Sequence, residues 1–185
     1  ASEGKGLGIQ FLDDLRQADV FIHIVDVSGT TDNEGKPTKD HDVISDVQFL
    51  EEELDLWYYN ILIKVWRGFA RKVESEDKNF ATAVANQFSG LRVKEDDVKD
   101  VLRKLDFTSK PSMWNEIQIK EFASKLRRES KPMIIAANKV DTEKGGDNLE
   151  RLKEFFSKSI IIPCSADSEL ALRQATKVGI IEYIP

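Results

Sequence analysis

A set of short, almost continuously apolar runs is the most regular feature of the sequence. Three of them lie at residues 20–26, 132–138 and 160–164, and a shorter fourth run covers 180–184. Continuous rather than alternating hydrophobicity is typical of strands that are buried on both faces of a parallel sheet. We therefore predict three buried strands and a final short strand.

Between these runs, apolar residues recur every three or four positions, which predicts helices. The stretches with this spacing are 10–18, 147–157 and 168–177. Strands that alternate with helices along a chain form a parallel sheet through right-handed connections. The predicted fold class is therefore α/β, a parallel sheet with helices on both faces.

A long helical region interrupts this alternation. Apolar positions continue with helical spacing from Val43 to Val73, which predicts one helix of about eight turns. We predict an all-helical insertion at 59–129, within an α/β domain made of 1–58 and 130–185. Three further helices are predicted in the insertion, at 78–88, at 94–105 and from Ser112 or Asn115 to Arg128.

Composition excludes several classes of protein. Hydrophobic residues make up 41% and charged residues 32% of the chain, as in globular proteins, and the net charge of -6 argues against general binding to phosphate backbones. One cysteine and two histidines are too few for a disulfide framework or a metal site rich in these residues. No apolar run reaches the roughly 20 residues of a membrane span, and the polar start of the chain is unlike a secretory leader. We expect a cytoplasmic protein without a membrane partner.

Polar residues follow two of the predicted strands. Asn138, Lys139 and Asp141 follow the second strand, and Ser165 and Ala166 follow the third. Ligands of open parallel sheets bind beyond the carboxyl ends of the strands, and these two loops are one strand–helix–strand unit apart. We therefore expect both loops at the same edge of the sheet.

These residue types suit the recognition of guanine. The Asp141 carboxylate can accept two parallel hydrogen bonds from the N1–H and the exocyclic amino group of guanine, and adenine offers neither donor. Asn138 can reach the imidazole edge of the purine, and the aliphatic stem of Lys139 can cover the ring. A backbone N–H near Ser165 and Ala166 can donate to the purine carbonyl. The alternative interpretation is that Asn138 and Asp141 only cap the next helix.

The motifs Asn-Lys-x-Asp at 138–141 and Ser-Ala at 165–166 resemble the base-recognition motifs of the GTPase superfamily. The resemblance extends further along the chain. Residues 4–19, 23–26 and 179–185, together with the helical insertion, closely resemble the Obg-related YchF family, and the Trp- and Tyr-rich helix is most similar to archaeal members.

This resemblance implies the second half of a P-loop GTPase domain, in a protein that hydrolyses GTP with Mg²⁺ and associates with the ribosome. Many bacterial and eukaryotic members depart from Asn-Lys-x-Asp and favour ATP. This sequence retains the motif, so GTP is the expected ligand and ATP the less favoured one.

One element of the family is absent from this sequence. The phosphate-binding signature Gly-x-x-x-x-Gly-Lys-[Ser/Thr] has no match, because the Gly-Lys pairs at 4–5 and 35–36 are not followed by Ser or Thr. We interpret the chain as an internal piece that lacks the N-terminal half of the G domain and the C-terminal TGS domain. No residue matches a catalytic group. Base contacts alone support about millimolar binding, so we expect this chain by itself to bind GTP weakly and to be inactive as a hydrolase.

A second hypothesis is a non-catalytic module in which the helical insertion binds RNA or the ribosome on a vestigial G-domain scaffold. Clustered cations favour it, although cations near helix C-termini also stabilise the helix dipole. These clusters are Arg67, Arg71 and Lys72, and Lys125, Arg127 and Arg128. Aromatic residues at helical spacing either stack on bases or, as we expect, form a core; they are Trp57, Tyr58, Tyr59 and Trp66. We also expect His23 and Cys164 to be packing residues.

Overall fold

The computed structural model describes residues 14–32 and 34–184. Three strands, Phe21–Asp26 (β1), Met133–Asn138 (β2) and Ile160–Cys164 (β3), form one sheet in the order β1–β2–β3, with β2 and β3 parallel. The predicted α/β class with a parallel sheet is confirmed. The α-helices of the described residues are Val43–Ile63 (α1), Trp66–Ser75 (α2), Phe80–Gln87 (α3), Glu95–Lys104 (α4), Glu116–Ser130 (α5), Gly145–Phe155 (α6) and Ala166–Lys177 (α7).

The described residues fall into two compact units. One unit contains residues 22–48 and 133–184 and therefore holds most of β1, all of β2 and β3, and helices α6 and α7. The other contains residues 14–21 and 49–132 and is helical. The predicted division into a G domain and an insertion at 59–129 stays a prediction.

An apolar core fixes the sheet of the first unit. Side chains from β1 and β2 pack against the start of α1 and against α6, because burying these faces removes apolar surface from water. The fully buried core consists of Val25, Val27, Val43, Val47, Ile135, Ala137, Leu149 and Leu152. This packing places the carboxyl ends of all three strands at one edge, where the loops that follow them meet.

The prediction that all three strands are buried on both faces is wrong for β1 and β3. In β3, Ile160 is 61% exposed and Ile162 is 49% exposed. Ile22 and Ile24 are each 68% exposed, whereas Val25 is 1% exposed. Side chains alternate between the two faces of a strand, and within the described residues cover is present on one side of β1 only. The final strand predicted at 180–184 is also absent, because these residues follow α7 without pairing to the sheet.

Aromatic packing organises the helical unit. The ring of Trp66 is stacked on Trp114 at 5.4 Å and lies 5.3 Å from Phe122 and 6.0 Å from Phe80. Its indole N–H donates to the carbonyl of Pro111 at 3.1 Å. The aromatic residues predicted as core are buried: Trp57, Tyr58, Tyr59 and Trp66.

The eight-turn helix predicted from Val43 to Val73 is interrupted. The structure ends α1 at Ile63 and starts α2 at Trp66, with a turn at residues 64–65. The apolar spacing continues through this turn, so the sequence pattern does not reveal it. The turn coincides with the contacts of Trp66 in the aromatic cluster, and tertiary packing of this kind overrides local helix propensity.

The helices at 78–88 and 94–105 are confirmed with slightly shorter bounds. Asn115 starts α5, since its side-chain oxygen accepts a hydrogen bond from the backbone N–H of Gln118 at 2.9 Å. Of the helix predicted at 10–18, residues 10–13 lie outside the described part, and Leu15–Gln17 form a single 3₁₀ turn. No helix in the described ranges is long and apolar enough to cross a membrane.

Candidate functional site

The two predicted loops lie side by side at one edge of the sheet. Asn138 and Cys164 are paired as the last residues of β2 and β3. Beyond this pair, the Asn138 side-chain oxygen accepts a hydrogen bond from the backbone N–H of Ala166 at 3.0 Å. The N–H of Val140 donates to the carbonyl of Cys164 at 3.3 Å. The loops are therefore joined by direct contacts across 28 residues of sequence.

Lys139 turns the chain sharply after β2. Its φ of +68° is left-handed, a conformation that non-glycine residues rarely adopt and that is often found at functional sites. The hydroxyl and the N–H of Thr142 both donate to the Lys139 carbonyl, at 2.7 and 3.2 Å. Gly145 lies beneath this turn, where a side chain would place its Cβ 2.8 Å from Val140 Cα. Only glycine fits this position without a shift of the loop.

The Lys139 side chain is paired with a carboxylate from the neighbouring strand. Its Nζ donates to Asp26 Oδ2 at 2.7 Å, and the side chains of Lys139 and Asp26 are 38% and 17% exposed. Thr31 Oγ1 donates to the same oxygen at 2.7 Å. Asp26 Oδ1 accepts from the N–H and the hydroxyl of Ser28, at 3.0 and 2.6 Å. Two donors thus bind each oxygen of Asp26.

These donors keep Asp26 ionised. Burial acts to raise the pKa of Asp26, but the hydrogen bonds from Lys139, Ser28 and Thr31 outweigh it and lower the pKa from 3.8 to about 2. A buried contact supports the loop that carries Ser28 and Thr31, because the side-chain amide of Asn148 donates to the Val27 carbonyl at 2.9 Å.

Asp141 is exposed on the outer side of the turn, and its Oδ2 accepts from the hydroxyl of Ser168 in the first turn of α7 at 2.9 Å. The hydroxyls of Ser165 and Ser168 lower the pKa of Asp141 below its usual value, Ser165 having the larger effect. Ser165 Oγ is buried and forms no hydrogen bond with any described group. Its effect on the pKa of Asp141 therefore comes from its closeness to the carboxylate and not from a well-formed hydrogen bond.

A concave surface of about 390 Å³ adjoins the lysine turn. One wall is the loop that contains Ser28, Gly29 and Thr30, and the other includes Lys139 and Thr142. Asp141 does not line this concavity. Lys139 therefore lies at its rim, between the concavity and the loops joined by Asn138.

The structure places all five predicted residues at one edge of the sheet and adds partners that the motifs do not reveal. Asn138 and Ala166 are in contact, Asp141 and Ser165 are neighbours, and Lys139 extends towards β1. Asp26, which the sequence marked only as the last residue of an apolar run, is a main partner of this group. The described residues contain no group of three or more His, Cys, Asp or Glu side chains that could hold a metal ion.

The two basic clusters differ in the structure. Arg127 is 1% exposed and pairs with Asp55 at 2.7 Å, and Arg128 pairs with Glu51 at 3.1 Å, so these cations belong to the packing of α5 on α1. In contrast, the cations of the first cluster are exposed and form no ion pair with any described residue. They are Arg67, Arg71 and Lys72, together with nearby Lys64.

Comparison with known proteins gives consistent matches. Residues 136–185 match the family model described as Obg-like GTPase YGR210-like, G4 motif-containing domain. The chain is 51% identical over 182 residues to an uncharacterized GTP-binding protein of Methanocaldococcus jannaschii, which covers 98% of this chain and 46% of that protein. It is 33% identical over 183 residues to an uncharacterized GTP-binding protein of Schizosaccharomyces pombe, which covers 99% of this chain and 45% of that protein.

A solved structure agrees with these matches. The crystal structure of a GTP-binding protein from Pyrococcus horikoshii OT3 has a TM-score of 0.84 at 45% identity, over 95% of this chain and 51% of that one. The chain thus spans about half the length of the relatives it matches. These matches confirm the resemblance of the chain to the YchF/Obg-like GTPase family.

Proposed function

We propose that this chain carries the guanine-recognition site of a GTP-binding protein, formed by Asn138, Lys139, Asp141, Ser165 and Ala166. The observation that carries the proposal is the 3.0 Å hydrogen bond from the Ala166 N–H to Asn138, which joins the two candidate base-binding loops at one sheet edge. The relatives at 51% and 33% identity, both named GTP-binding proteins, support it. ATP is the weaker alternative ligand.

Asp141 supplies the selectivity in this proposal. Its carboxylate is exposed, and the lowered pKa keeps it ionised at neutral pH, so that both oxygens accept hydrogen bonds. Guanine offers two adjacent donors, the N1–H and the 2-amino group, whereas adenine has a lone pair at N1 and no 2-amino group. A site left with an unpaired charged acceptor discriminates strongly against the wrong base.

Asn138 and Ala166 have linked roles. The Ala166 N–H donates to the side-chain oxygen of Asn138. On purine binding, Asn138 turns to the imidazole edge of the base, and the Ala166 N–H donates to the purine carbonyl instead. The hydrogen bond between Ala166 and Asn138 is thus replaced by two hydrogen bonds to the purine. The two loops keep their separation because the hydrogen bond between the Val140 N–H and the Cys164 carbonyl remains.

Hydrolysis of GTP is proposed for the whole protein on the basis of its resemblance to the YchF/Obg-like GTPase family. The phosphate-binding signature is absent from this sequence. Phosphate binding, Mg²⁺ and the catalytic group are therefore assigned to parts of the protein outside these residues. No step of the proposal depends on them.

The decisive experiment is an Asp141→Asn exchange in the full-length protein. The side-chain amide of Asn presents a donor that repels the 2-amino group of guanine but pairs with the 2-carbonyl of xanthine. We expect GTP affinity to fall at least 100-fold, because two hydrogen bonds to a charged acceptor are lost and a donor faces the 2-amino group, and we expect XTP affinity to rise. Equilibrium titration with labelled GTP, XTP and ATP measures both.

Asp147→Asn is the matched control, because Asp147 is an exposed carboxylate in the first turn of α6 and is not one of the proposed base-binding residues. It should bind GTP as the unmodified protein does. If Asp141→Asn retained the preference for GTP over ATP and XTP, Asp141 would not read the base and the proposal would be wrong.

A second function, binding of RNA or the ribosome by the helical unit, is favoured by one observation. Most of the described cations in this acidic chain are ion-paired. In contrast, four exposed cations have no such partner within the nine residues that cover the turn and the first part of α2: Lys64, Arg67, Arg71 and Lys72. Lys64 and Arg67 line a concavity of about 570 Å³, and Lys72 lines another of about 550 Å³. Unpaired cations along a concave surface suit a phosphate backbone.

Charge reversal tests this surface. The double variant Arg67→Glu/Arg71→Glu should weaken binding to ribosomes or ribosomal RNA about tenfold or more and flatten its salt dependence, while GTP affinity stays unchanged. Lys158→Glu/Lys177→Glu carries the same change in net charge at exposed cations of the other unit. Equal losses in the two double variants, measured by co-sedimentation over a salt series, would show a general charge effect and remove the proposal.

A further inference from the structure

Asp26 lies outside the sequence motifs but in contact with one of their residues. It ends β1, and Lys139 follows β2, so the two residues approach each other only because these strands are neighbours in the sheet. The backbone reinforces this approach, since the Val27 N–H donates to the Asn138 carbonyl at 2.9 Å. The contact between Asp26 and Lys139 is thus fixed by the sheet and not by the loop.

The Asp26 carboxylate is held in one orientation. The Ser28 hydroxyl and N–H occupy Oδ1, and Thr31 shares Oδ2 with Lys139. With two donors on each oxygen, rotation of the carboxylate would break several hydrogen bonds at once. Asp26 therefore presents a fixed acceptor to the Lys139 ammonium group.

The contact with Asp26 restricts the Lys139 side chain more than the backbone conformation of the loop does. The turn at Lys139 fixes where the side chain begins, but the lysine stem is a flexible four-carbon chain. Anchoring Nζ at its far end restricts the stem at both ends. A side chain that is ordered before the ligand arrives does not have to be ordered on binding, which strengthens affinity.

We propose that Asp26 is a positioning residue for nucleotide binding, which holds the stem of Lys139 in the orientation that forms a wall of the purine site. The inference rests on the proposed function, because it needs Lys139 to contact the base. It assigns Asp26 no contact with the ligand. Its effect is therefore on the affinity for purine nucleotides in general and not on the choice between guanine and adenine.

The test is Asp26→Asn in the full-length protein, since Asn keeps the size and one acceptor oxygen but loses the charge. We expect GTP and GDP affinity to weaken by the same factor, about tenfold, with the ratio of GTP to ATP affinity unchanged. Asp32→Asn is the matched control: Asp32 is a partly exposed carboxylate of the same loop that accepts from the N–H of Glu34 and Lys36 and does not touch Lys139. It should bind nucleotides normally.

A double-mutant cycle separates positioning from a merely structural role. In the Lys139→Ala background, Asp26→Asn should cause no further loss of affinity, because the side chain it positions is gone. A further tenfold loss in that background would overturn the inference, and so would normal affinity of Asp26→Asn beside a weakened Lys139→Ala. The base-recognition proposal is tested by a separate result. It fails if the Asp141→Asn protein still prefers GTP.

Discussion

Lys139 combines a left-handed backbone with an anchored side chain, and the two constraints have different origins. The backbone conformation is supported locally by Thr142 and by the space above Gly145. The side chain is held by Asp26 from the neighbouring strand. Strained residues persist where the surrounding structure fixes them in this way, which is a reason to connect Lys139 with function.

The residues of the motifs could be predicted from sequence and their supports could not. Asn138 and Asp141 are recognisable because the chemistry of base recognition requires their types at a fixed spacing after a strand. Asp26 and Thr31 carry no such signal, because their roles depend on which strands become neighbours. The interpretation of Asn138 as only a helix cap does not agree with the structure, since its side chain bonds to Ala166 and not to α6.

The pH dependence of stability reports on Asp26. Its pKa in the fold, about 2, is below the ordinary 3.8, so the unfolded chain binds the proton more tightly. The stabilisation is fully present above about pH 5 and is lost as the pH falls from about 4 to 2. At pH 7 we expect Asp26→Asn to lower the free energy of unfolding by about 1 kcal/mol, since the pair with Lys139 is partly solvated.

Urea unfolding at pH 7, 5 and 3 measures this effect, and the difference between the two proteins should shrink at pH 3. Glu150→Gln is a suitable control, because Glu150 forms only an exposed pair with Lys153. A difference that stays constant down to pH 3 would mean that the charge of Asp26 does not stabilise the fold.

At the scale of elements, a buried ion pair joins α1 to α5. Arg127 is 1% exposed and donates from Nε to Asp55 at 2.7 Å, and Ser124 donates to the same carboxylate. Removing Asp55 leaves the buried Arg127 only the more distant Glu51 carboxylate, 3.9 Å away, as a charge partner. Asp55→Ala should therefore lower the free energy of unfolding by about 3 kcal/mol, measured by urea denaturation.

Glu129→Ala provides the comparison on the same helix, because Glu129 pairs with Lys104 at the surface. Its cost should stay below about 1 kcal/mol. Similar losses in the two variants would show that burial does not distinguish these ion pairs.

Prediction of elements succeeded where periodicity and end signals agreed. Asn115 was one of two predicted starts for α5, and its capping interaction with Gln118 decides between them. The turn at residues 64–65 was not predicted, and the strand predicted at 180–184 does not form. Apolar spacing does not show where the chain turns or which segments pair in a sheet. The exposure of Ile22 and Ile24 has the same origin: an apolar run indicates a strand but does not supply the elements that cover it.

At the scale of the whole molecule, the α/β class and the family were predictable because the motifs and the order of elements agree. The location of the site followed from the parallel order of β2 and β3 alone. The arrangement of the helical unit did not follow from sequence, since its aromatic cluster is built from residues of α2, α3 and α5 that are far apart along the chain.

Affinity of this chain alone is a prediction at the same scale. Without the phosphate-binding signature, only base contacts contribute, and a net charge of -6 opposes the approach of a triphosphate. We expect a dissociation constant for GTP of about 1 mM and no release of phosphate. Isothermal titration and a phosphate assay measure these, and micromolar binding by the isolated chain would contradict the prediction.

The turn after β2 separates two tasks between its outer and inner sides. Asp141 is exposed on the outside, while Gly145 supports the turn from within, where a Cβ would meet Val140. Under the proposed function, a mutation that changes the preferred base can therefore arise at Asp141 without disturbing the scaffold. Gly145 does not tolerate substitution in the same way. New nucleotide specificity can therefore evolve through changes at Asp141, whereas Gly145, four positions later, has to be kept.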